Sequence, residues 1–398
     1  MSDIGHSFAA PLARGLYLEV FGRPVVLAST GAESAPKGAL DVDIGRGGDE
    51  VAAAAVLREA LAAWKAKQGE AMPGCVFVRA GAWSAAYWPG ASYDAARGRA
   101  ERRDASPFAS APRAGDGASA RGRGEVVAGR VAIVTGGAQG FGEEIVRGLC
   151  SSGALVYVAD LNLAGADKLA ATLNAEAGST VAIPVSVNVS DEASVAAMLA
   201  LVAEKTGGLD IVVSNAGVLK ASSVLDQELS AFRFVTDVNY VGFMLVTKHA
   251  GLVLRKQSRT APSWHTDVIQ INSKSGLEGS NKNGSYAGSK FGGLGLVQSF
   301  ALELVEWKIK VNAICPGNFL DGPLWSDPAK GLFVQYLRSG KVKGAKTAED
   351  VRKAYEAKVP MGRGCEGPDV MRAVYYVVEQ EYETGQALPV TGGQVMLS

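Results

Sequence analysis

Arg130-Val131-Ala132-Ile133-Val134-Thr135-Gly136-Gly137-Ala138-Gln139-Gly140-Phe141-Gly142-Glu143-Glu144-Ile145-Val146 is the stretch that decides the fold. Its first half reads as a short strand buried on both faces, as in a parallel sheet. Its end reads as the start of a helix. Strand, glycine loop and helix in that order turn a glycine-rich string into a phosphate-binding site. Glycines let the backbone turn tightly and approach a pyrophosphate, and the helix N-terminus offers free N–H groups with a positive dipole end. The same string also serves as a tight turn packed on a neighbouring helix, so the assignment needs support elsewhere in the chain.

Asp160 supplies some. It ends a second apolar run, Ala154-Leu155-Val156-Tyr157-Val158-Ala159, about 20 residues beyond the loop, where an acid hydrogen-bonds the adenosine ribose and repels a 2′-phosphate. Gln139 brings no cation for that phosphate, so both residues favour NAD over NADP. An aspartate here also serves as a plain helix cap. Further on, Tyr286 and Lys290 lie four residues apart in Tyr286-Ala287-Gly288-Ser289-Lys290, after Ser273. On a helix that spacing puts both on one face. An ammonium beside a phenol favours the phenolate and lowers its pKa from about 10. Such a phenol exchanges a proton with a substrate oxygen. Taken alone, the pair also fits a half-exposed aromatic beside a solvated lysine.

Taken together, these residues resemble the short-chain dehydrogenase/reductase family over roughly residues 126–398. Thr135-Gly136 through Gly142 is similar to its cofactor loop, with Gln139, Gly140 and Phe141 inside it. Asn215-Ala216-Gly217 resembles its strand-end motif, and Pro316-Gly317 and Thr391-Gly392-Gly393 also fit. Asn239, Ser273, Tyr286 and Lys290 are similar to its catalytic residues. The resemblance implies hydride transfer between a secondary alcohol and the nicotinamide of NAD. Tyr286 is the expected proton carrier, Lys290 lowers the phenol pKa and holds the nicotinamide ribose, and Ser273 hydrogen-bonds the reacting oxygen. Asn239 positions a water, or merely bends a helix. Asn188-Val189 stands where the family usually has Asp-Val beside the adenine, and Ser214 replaces an asparagine. The Asn188 side-chain carbonyl is expected to take the adenine amine. No metal is expected.

A closer resemblance, to the sorbitol-6-phosphate 2-dehydrogenase branch, lies in Ile269 to Gly276, Lys290-Phe291-Gly292-Gly293, Lys358-Val359-Pro360 with Arg363-Gly364-Cys365, and Val390 to Val395. It implies oxidation of D-sorbitol 6-phosphate to D-fructose 6-phosphate, and the reverse. A phosphate needs cations, and Lys220, Lys274, Lys282 and Arg363 are the candidates near the expected crevice. Each also reads as a solvated surface charge. The insertion from Phe319 to Lys346, with Leu324-Trp325 and Phe333-Val334-Gln335-Tyr336, is expected to be a mobile lid. An unphosphorylated polyol or another carbonyl compound would use the same catalytic residues. A catalytically silent, cofactor-sensing scaffold is the reading from a different class.

Strands are expected near 130–135, 154–159, 181–187, 209–214, 267–272, 309–314 and 387–390, with helices at 191–206, 231–255 and 284–305 between them. This alternation predicts an α/β chain with a Rossmann-type, doubly wound parallel sheet of about seven strands. Residues 1–104 read as a small α+β unit of unknown role. Residues 105–125 have linker composition, and residues 126–398 carry the dehydrogenase motifs. In the small unit, Leu16–Phe21 and Val25–Ala28 around Gly22-Arg23-Pro24 read as a hairpin, Val51–Lys67 as a helix and Cys75–Arg79 as a strand. Trp83, Tyr87 and Trp88 either line a sugar site or pack beneath a loop.

Forty basic and forty acidic residues balance to zero net charge, which excludes a strongly basic nucleic-acid footprint. Cys75, Cys150, Cys315 and Cys365 form no C-x-x-C pair and read as buried thiols of a reducing compartment. Neither a secretory leader nor a bilayer-spanning stretch is expected, so the sequence reads as that of a cytoplasmic enzyme. The partners expected are a small-molecule substrate, no nucleic acid or membrane, and further copies of the chain. The dimer or tetramer that the resemblance implies would be built on the helices near 231–255 and 284–305.

Overall fold

The computed structural model describes residues 5–45, 48–69, 71–108, 122–338 and 340–396. Residues 109–121, within the stretch read as a linker, lie outside the described residues. The N-terminal region contains α1 (His6–Phe21), β1 (Val26–Gly31), β2 (Leu40–Asp43), α2 (Glu50–Gln68), β3 (Val76–Ala80), β4 (Trp83–Gly90) and α3 (Tyr93–Arg102). Its four strands form one sheet in the order β1-β4-β3-β2. The expected hairpin around Gly22 is not formed. Leu16–Phe21 is the last part of α1, and Gly22, at φ 58°, donates its N–H to the Leu18 carbonyl as a left-handed helix cap. The six-residue window looked alternating, but Phe8, Ala9, Ala10, Leu12 and Ala13 before it continue a run buried on nearly every side. That is the pattern of a core helix. The hairpin lies instead at β3–β4, with Ala80 opposite Trp83. Tyr87 and Trp88 are fully buried in β4, and the Trp88 Nε1 donates to the Thr30 Oγ1 at 3.1 Å. They are packing residues, not a sugar platform.

The second sheet has seven strands, all parallel, in the order β11-β10-β9-β8-β5-β6-β7. They are β5 (Val131–Thr135), β6 (Leu155–Asp160), β7 (Ala182–Ser186), β8 (Ile211–Ser214), β9 (Thr266–Ile271), β10 (Ile309–Pro316) and β11 (Ala387–Val390). The helices between them are α4 (Gly140–Ser151), α5 (Leu163–Ala177), α6 (Glu192–Thr206), α7 (Leu229–Thr236), α8 (Gly242–Thr260), α9 (Gly284–Leu304), α10 (Pro323–Ser326), α11 (Leu332–Arg338), α12 (Ala348–Glu356) and α13 (Gly367–Glu379). Two apolar clusters cover the two faces, as a doubly wound parallel sheet requires. The order reverses between β5 and β8, and Thr135 and Ser214 are paired there. A ligand crevice opens at this switch point.

One helical run, Leu229–Thr260, is long and apolar enough to cross a bilayer by length and composition, where the sequence reading expects none. In the fold its α8 part packs into the core, with Phe243, Val246, Ala250, Val253 and Leu254 buried beneath the sheet, while Leu229, Phe232 and Phe234 of α7 are exposed.

The N-terminal region is fastened to this run. At Gly15, α1 crosses α8 so closely that a Cβ would lie 2.0 Å from the Thr260 Oγ1, which itself donates to the Leu12 carbonyl at 2.7 Å. Beside the crossing, Arg14 forks onto Asp210 at 2.7 and 3.1 Å, both side chains fully buried. Its remaining donors meet the Val25 carbonyl and the Gln257 Oε1, both at 2.7 Å. Asp210 in turn accepts from the Val131 N–H at 2.8 Å and the Trp264 Nε1 at 2.9 Å. Burial pushes the Asp210 carboxyl up, but the Arg14 charge and hydrogen bonds outweigh it and hold the pKa below the ordinary value. Arg14→Met leaves that carboxylate buried and unpaired, and should cost about 3–5 kcal/mol in urea unfolding at neutral pH. Because the folded pKa is lowered, the contribution is fully present above the unfolded value of about 3.9 and is lost as pH falls through the folded one. The loss of stability below about pH 4 should therefore be steeper in wild type than in the Arg14→Met variant, which lacks the Asp210 part of it.

Candidate active site

The cofactor loop is built at the end of β5. Gly136 and Gly140 take φ values of 63° and 61°, which favour glycine. Gly142 lies so near the start of the loop that a Cβ would sit 2.0 Å from the Gly136 carbonyl oxygen. No side chain caps the N-terminus of α4 at Gln139, so its first-turn N–H groups are available to a phosphate. Thr135 fixes the loop against β8: its Oγ1 accepts from the N–H groups of Asn215 and Ala216, each at 3.1 Å. The Asn215 Nδ2 donates to the Thr135 and Gly136 carbonyls, each at 3.0 Å. These contacts bring Thr135, Gly136, Asn215, Ala216 and Gly217 together as the sequence reading expects. A dinucleotide pyrophosphate fits this cradle.

Asp160 stands beside it, half-buried. Its carboxylate accepts from the Ala138 N–H at 3.0 Å and the Asn162 N–H at 2.8 Å. It therefore caps and braces the loop, and each oxygen retains a lone pair for a ribose hydroxyl. Asn188 departs from expectation. Its side-chain carbonyl accepts from both the N–H and the hydroxyl of Ser190, at 3.1 and 2.7 Å. It is thus occupied within its own loop. Val189 packs against Gly242. Pro316 ends β10, and the Gly317 N–H donates to the Val390 carbonyl at 2.9 Å, closing the crevice on the β11 side.

Tyr286 and Lys290 lie on one face of α9, with the ammonium 5.6 Å from the phenol ring centroid. Lys290 is buried and donates to the Ile271 carbonyl at 2.9 Å; burial lowers its pKa to about 8. The Tyr286 phenol is held above its ordinary value by burial, while a hydrogen bond with Ser273 pulls it down. The lysine does not reach the phenol oxygen, so the expected lowering by Lys290 is absent from this geometry. Burial outweighs the Ser273 hydrogen bond.

Asn239 lies in a single π-helical turn, Asp237–Val241, between α7 and α8. Such turns are frequent at functional sites. Its Oδ1 accepts from the Val218 N–H at 2.8 Å, and its Nδ2 donates to the Val218 carbonyl at 2.9 Å and to the Ser289 Oγ at 3.1 Å. The loop after Gly217 is thereby pinned over Lys290: a Cβ at Gly217 would lie 3.8 Å from its Nζ. Two residues missed by the sequence reading complete the frame. Asn272 donates to the Gln270 Oε1 at 2.7 Å and to the Lys290 carbonyl at 2.9 Å, and accepts from the Ser273 N–H at 2.8 Å. Buried polar residues at the end of a core strand were the available signal.

The four phosphate candidates separate. Lys274 is half-buried next to Ser273, and Lys282 is exposed in the loop before α9. Lys220 is exposed beyond Gly217. Arg363 is directed elsewhere: it forks onto Asp369 at 2.7 and 3.0 Å, which raises its pKa and commits it to the start of α13. The segment expected as a lid holds α10 and α11 and packs on α12. It has its own core of Leu320, Trp325, Leu332, Phe333, Tyr336 and Val351. Phe319, at its root, stacks on Phe141 of the glycine loop at 4.6 Å.

A tyrosine hydrogen-bonded to a serine, with a buried lysine one turn away on the same helix, is suited to exchanging a proton with a substrate oxygen. The chain belongs to the short-chain dehydrogenases, enzymes acting on CH–OH groups; the family's sequence model, described as short chain dehydrogenase, matches residues 130–327. It is 36% identical over 269 residues to sorbitol-6-phosphate 2-dehydrogenase of Escherichia coli K12, covering 67% of this chain and 99% of that one. It is 31% identical over 270 residues to galactitol 2-dehydrogenase of Agrobacterium fabrum, covering 67% and 98%. The crystal structure of sorbitol-6-phosphate 2-dehydrogenase from Erwinia amylovora superposes with a TM-score of 0.62 at 38% identity, covering 67% of this chain and all of that one. The N-terminal region lies outside these matches.

Tyr286→Phe should lower kcat for alcohol oxidation by about 10²–10⁴-fold, the usual contribution of a positioned acid–base group, with an unchanged melting temperature. The residues that titrate here do so in the alkaline range, so wild-type oxidation should accelerate as pH rises and the phenol ionises. A Tyr286→Phe enzyme that kept this alkaline rise would show that another group carries the proton.

Proposed function

We propose that this protein oxidises a sugar-alcohol phosphate with NAD, D-sorbitol 6-phosphate to D-fructose 6-phosphate being the favoured pair, and catalyses the reverse reduction. The convergence of Ser273, Tyr286 and Lys290 beside the open N-terminus of α4 carries this reading. Likeness to sorbitol-6-phosphate 2-dehydrogenases supports the substrate.

Bound NAD would supply the hydride acceptor and a positive ring near the phenol. The protein's own groups handle the oxygen. Tyr286 as phenolate removes the hydroxyl proton during oxidation and returns it during reduction. Ser273 donates a hydrogen bond to the same oxygen, whose charge changes most in the transition state. Lys290, held by the Ile271 carbonyl, would bind the nicotinamide ribose and bring a positive charge to it. Asn239 fixes the loop above that ammonium and so maintains a polar path from it.

Asp160 supports NAD as the cofactor. Its carboxylate braces the loop where a 2′-phosphate would arrive, and among the described residues no cation replaces it. Gly140 through Gly142 would hold the pyrophosphate, with Asn188 and Val189 beside the adenine. A cytoplasmic location fits the thiols: burial raises Cys75, Cys150 and Cys365 to about 12 and Cys315 to about 11, so none is poised for disulfide exchange. A homodimer or homotetramer is supported by apolar side chains left exposed on α7 and α9, among them Leu229, Phe232, Phe291 and Leu302.

The deciding measurement is NADH formation over a panel of sugar alcohols with and without a terminal phosphate. D-Sorbitol 6-phosphate should give the highest kcat/KM; a better unphosphorylated polyol would defeat the substrate assignment. With the best substrate, NAD should exceed NADP by about tenfold or more in kcat/KM, equivalent to about 1.4 kcal/mol. Asp160→Asn, which keeps the shape and removes the charge, should narrow that gap.

A further inference from the structure

The lid segment carries cations that the sequence reading did not single out. The Lys341 Nζ lies 4.0 Å from the centroid of the Tyr336 ring. The Lys358 Nζ lies 4.4 Å from the centroid of the Tyr355 ring. The two rings stack on one another at 5.6 Å and 20°, and Tyr355 meets Trp325 edge-on at 4.7 Å. An aromatic pair anchored in the core of the segment thus seats one ammonium on each ring, which fixes two flexible side chains at little entropic cost. Lys274, next to Ser273, and Lys282, in the loop that leads into α9, lie within electrostatic reach of Lys341.

Lys341 feels the charges of the other three, and Lys274 feels that of Lys358. Burial lowers the Lys341 pKa, and the charges of Lys358, Lys282 and Lys274 lower it further. Burial likewise lowers Lys274, with Lys358 adding to the effect and Glu278 opposing it. Among the described residues no carboxylate lies within 4.0 Å of any of the four lysines, unlike Arg363 and Arg352 nearby. Four cations grouped around Lys341, with Glu278 acting on Lys274 alone among them, form a positive cluster without an ion-pair partner among the described residues. Such a cluster repels itself until an anion joins it. A phosphate monoester matches it: it carries nearly two charges at pH 7 and three acceptor oxygens.

We infer that Lys274, Lys282, Lys341 and Lys358 form a split receptor for the terminal phosphate of the substrate, half on the floor beside Ser273 and half on the segment above it. This assignment rests on the substrate being a polyol phosphate and names the residues that select it. The phosphate bridges the two halves, so binding draws the 319–358 segment onto the crevice and aligns the far end of the polyol with Tyr286. The receptor also replaces the earlier candidates: Arg363 is neutralised by Asp369, and Lys220 lies outside the group whose charges reach one another.

The test compares kcat/KM for D-sorbitol 6-phosphate with that for D-sorbitol in the full-length wild type, Lys341→Gln/Lys358→Gln, Lys274→Gln, Lys341→Arg/Lys358→Arg and, as a control, Lys168→Gln on the exposed face of α5. The wild-type preference for the phosphorylated substrate should fall about tenfold or more in each glutamine variant, mainly through KM, as expected for lost charge-assisted hydrogen bonds. The arginine pair should restore most of it, and Lys168→Gln should leave it intact. Inorganic phosphate should slow proteolysis of the 319–358 segment in wild type and not in Lys341→Gln/Lys358→Gln. A wild-type preference that survives in both glutamine variants overturns the receptor while leaving the substrate assignment standing. Equal kcat/KM on the two substrates in wild type overturns the substrate assignment and the receptor with it.

Discussion

A buried ammonium is expensive unless its surroundings are arranged for it, and the arrangement around Lys290 organises the whole crevice. The Nζ takes the Ile271 carbonyl at the end of β9, which sets the depth of α9 against the sheet. Asn272, the next residue in the chain, holds the Lys290 carbonyl and the Ser273 N–H with one carboxamide. The lysine and the serine are therefore positioned by the same strand end. Asn239 closes the remaining side by pinning Val218, and a π-helical turn in an otherwise regular helix is the local cost of presenting that side chain. Burial lowers Lys290 to about 8, which leaves it mostly charged at neutral pH.

The parallel sheet makes this economy possible. All seven strands point the same way, so every residue that follows a strand arrives on one edge. Thr135, Asp160, Asn215 and Ser273 reach the crevice from β5, β6, β8 and β9 without long loops. The N-terminal region meets the same sheet at its other end, where Asp210 precedes β8 and bonds Val131 at the start of β5. Arg14 thus braces the opposite ends of the strands that carry the cofactor loop. The region is joined through a fully buried ion pair and a helix crossing at Gly15, so it is a structural part of the strand base rather than a loosely tethered appendage.

The positions legible in the sequence were those where one residue type has one physical use. Glycines at positive φ, an acid at a strand end and a tyrosine–lysine pair on one helical face each leave a local signature, and each stands near the crevice. The seven strands were legible because a strand buried on both faces is a continuous apolar run. What failed was decided by neighbours. Leu16–Phe21 looked alternating only while the alanine-rich turn before it was ignored. The Asn188 carbonyl was lost to Ser190, two residues away, and Arg363 to Asp369, six residues on. A side chain's chemistry is visible in sequence, but the partner that has already taken it is not. Lys341, and Lys358 as a cation rather than a motif residue, escaped notice for the opposite reason: their place depends on two tyrosine rings that stack in the folded segment.

The stack of Phe141 on Phe319 shows how the two halves of the crevice communicate. Phe141 belongs to the first turn of α4, whose N–H groups face the cofactor cradle, and Phe319 is the root of the segment bearing the aromatic core. An offset pair of this kind contributes about 0.5–1.5 kcal/mol beyond its buried area, small against folding but comparable with the energy that biases a lid between two positions. A change at Phe319 therefore alters the packing of the first turn of α4 as well as the root of the segment.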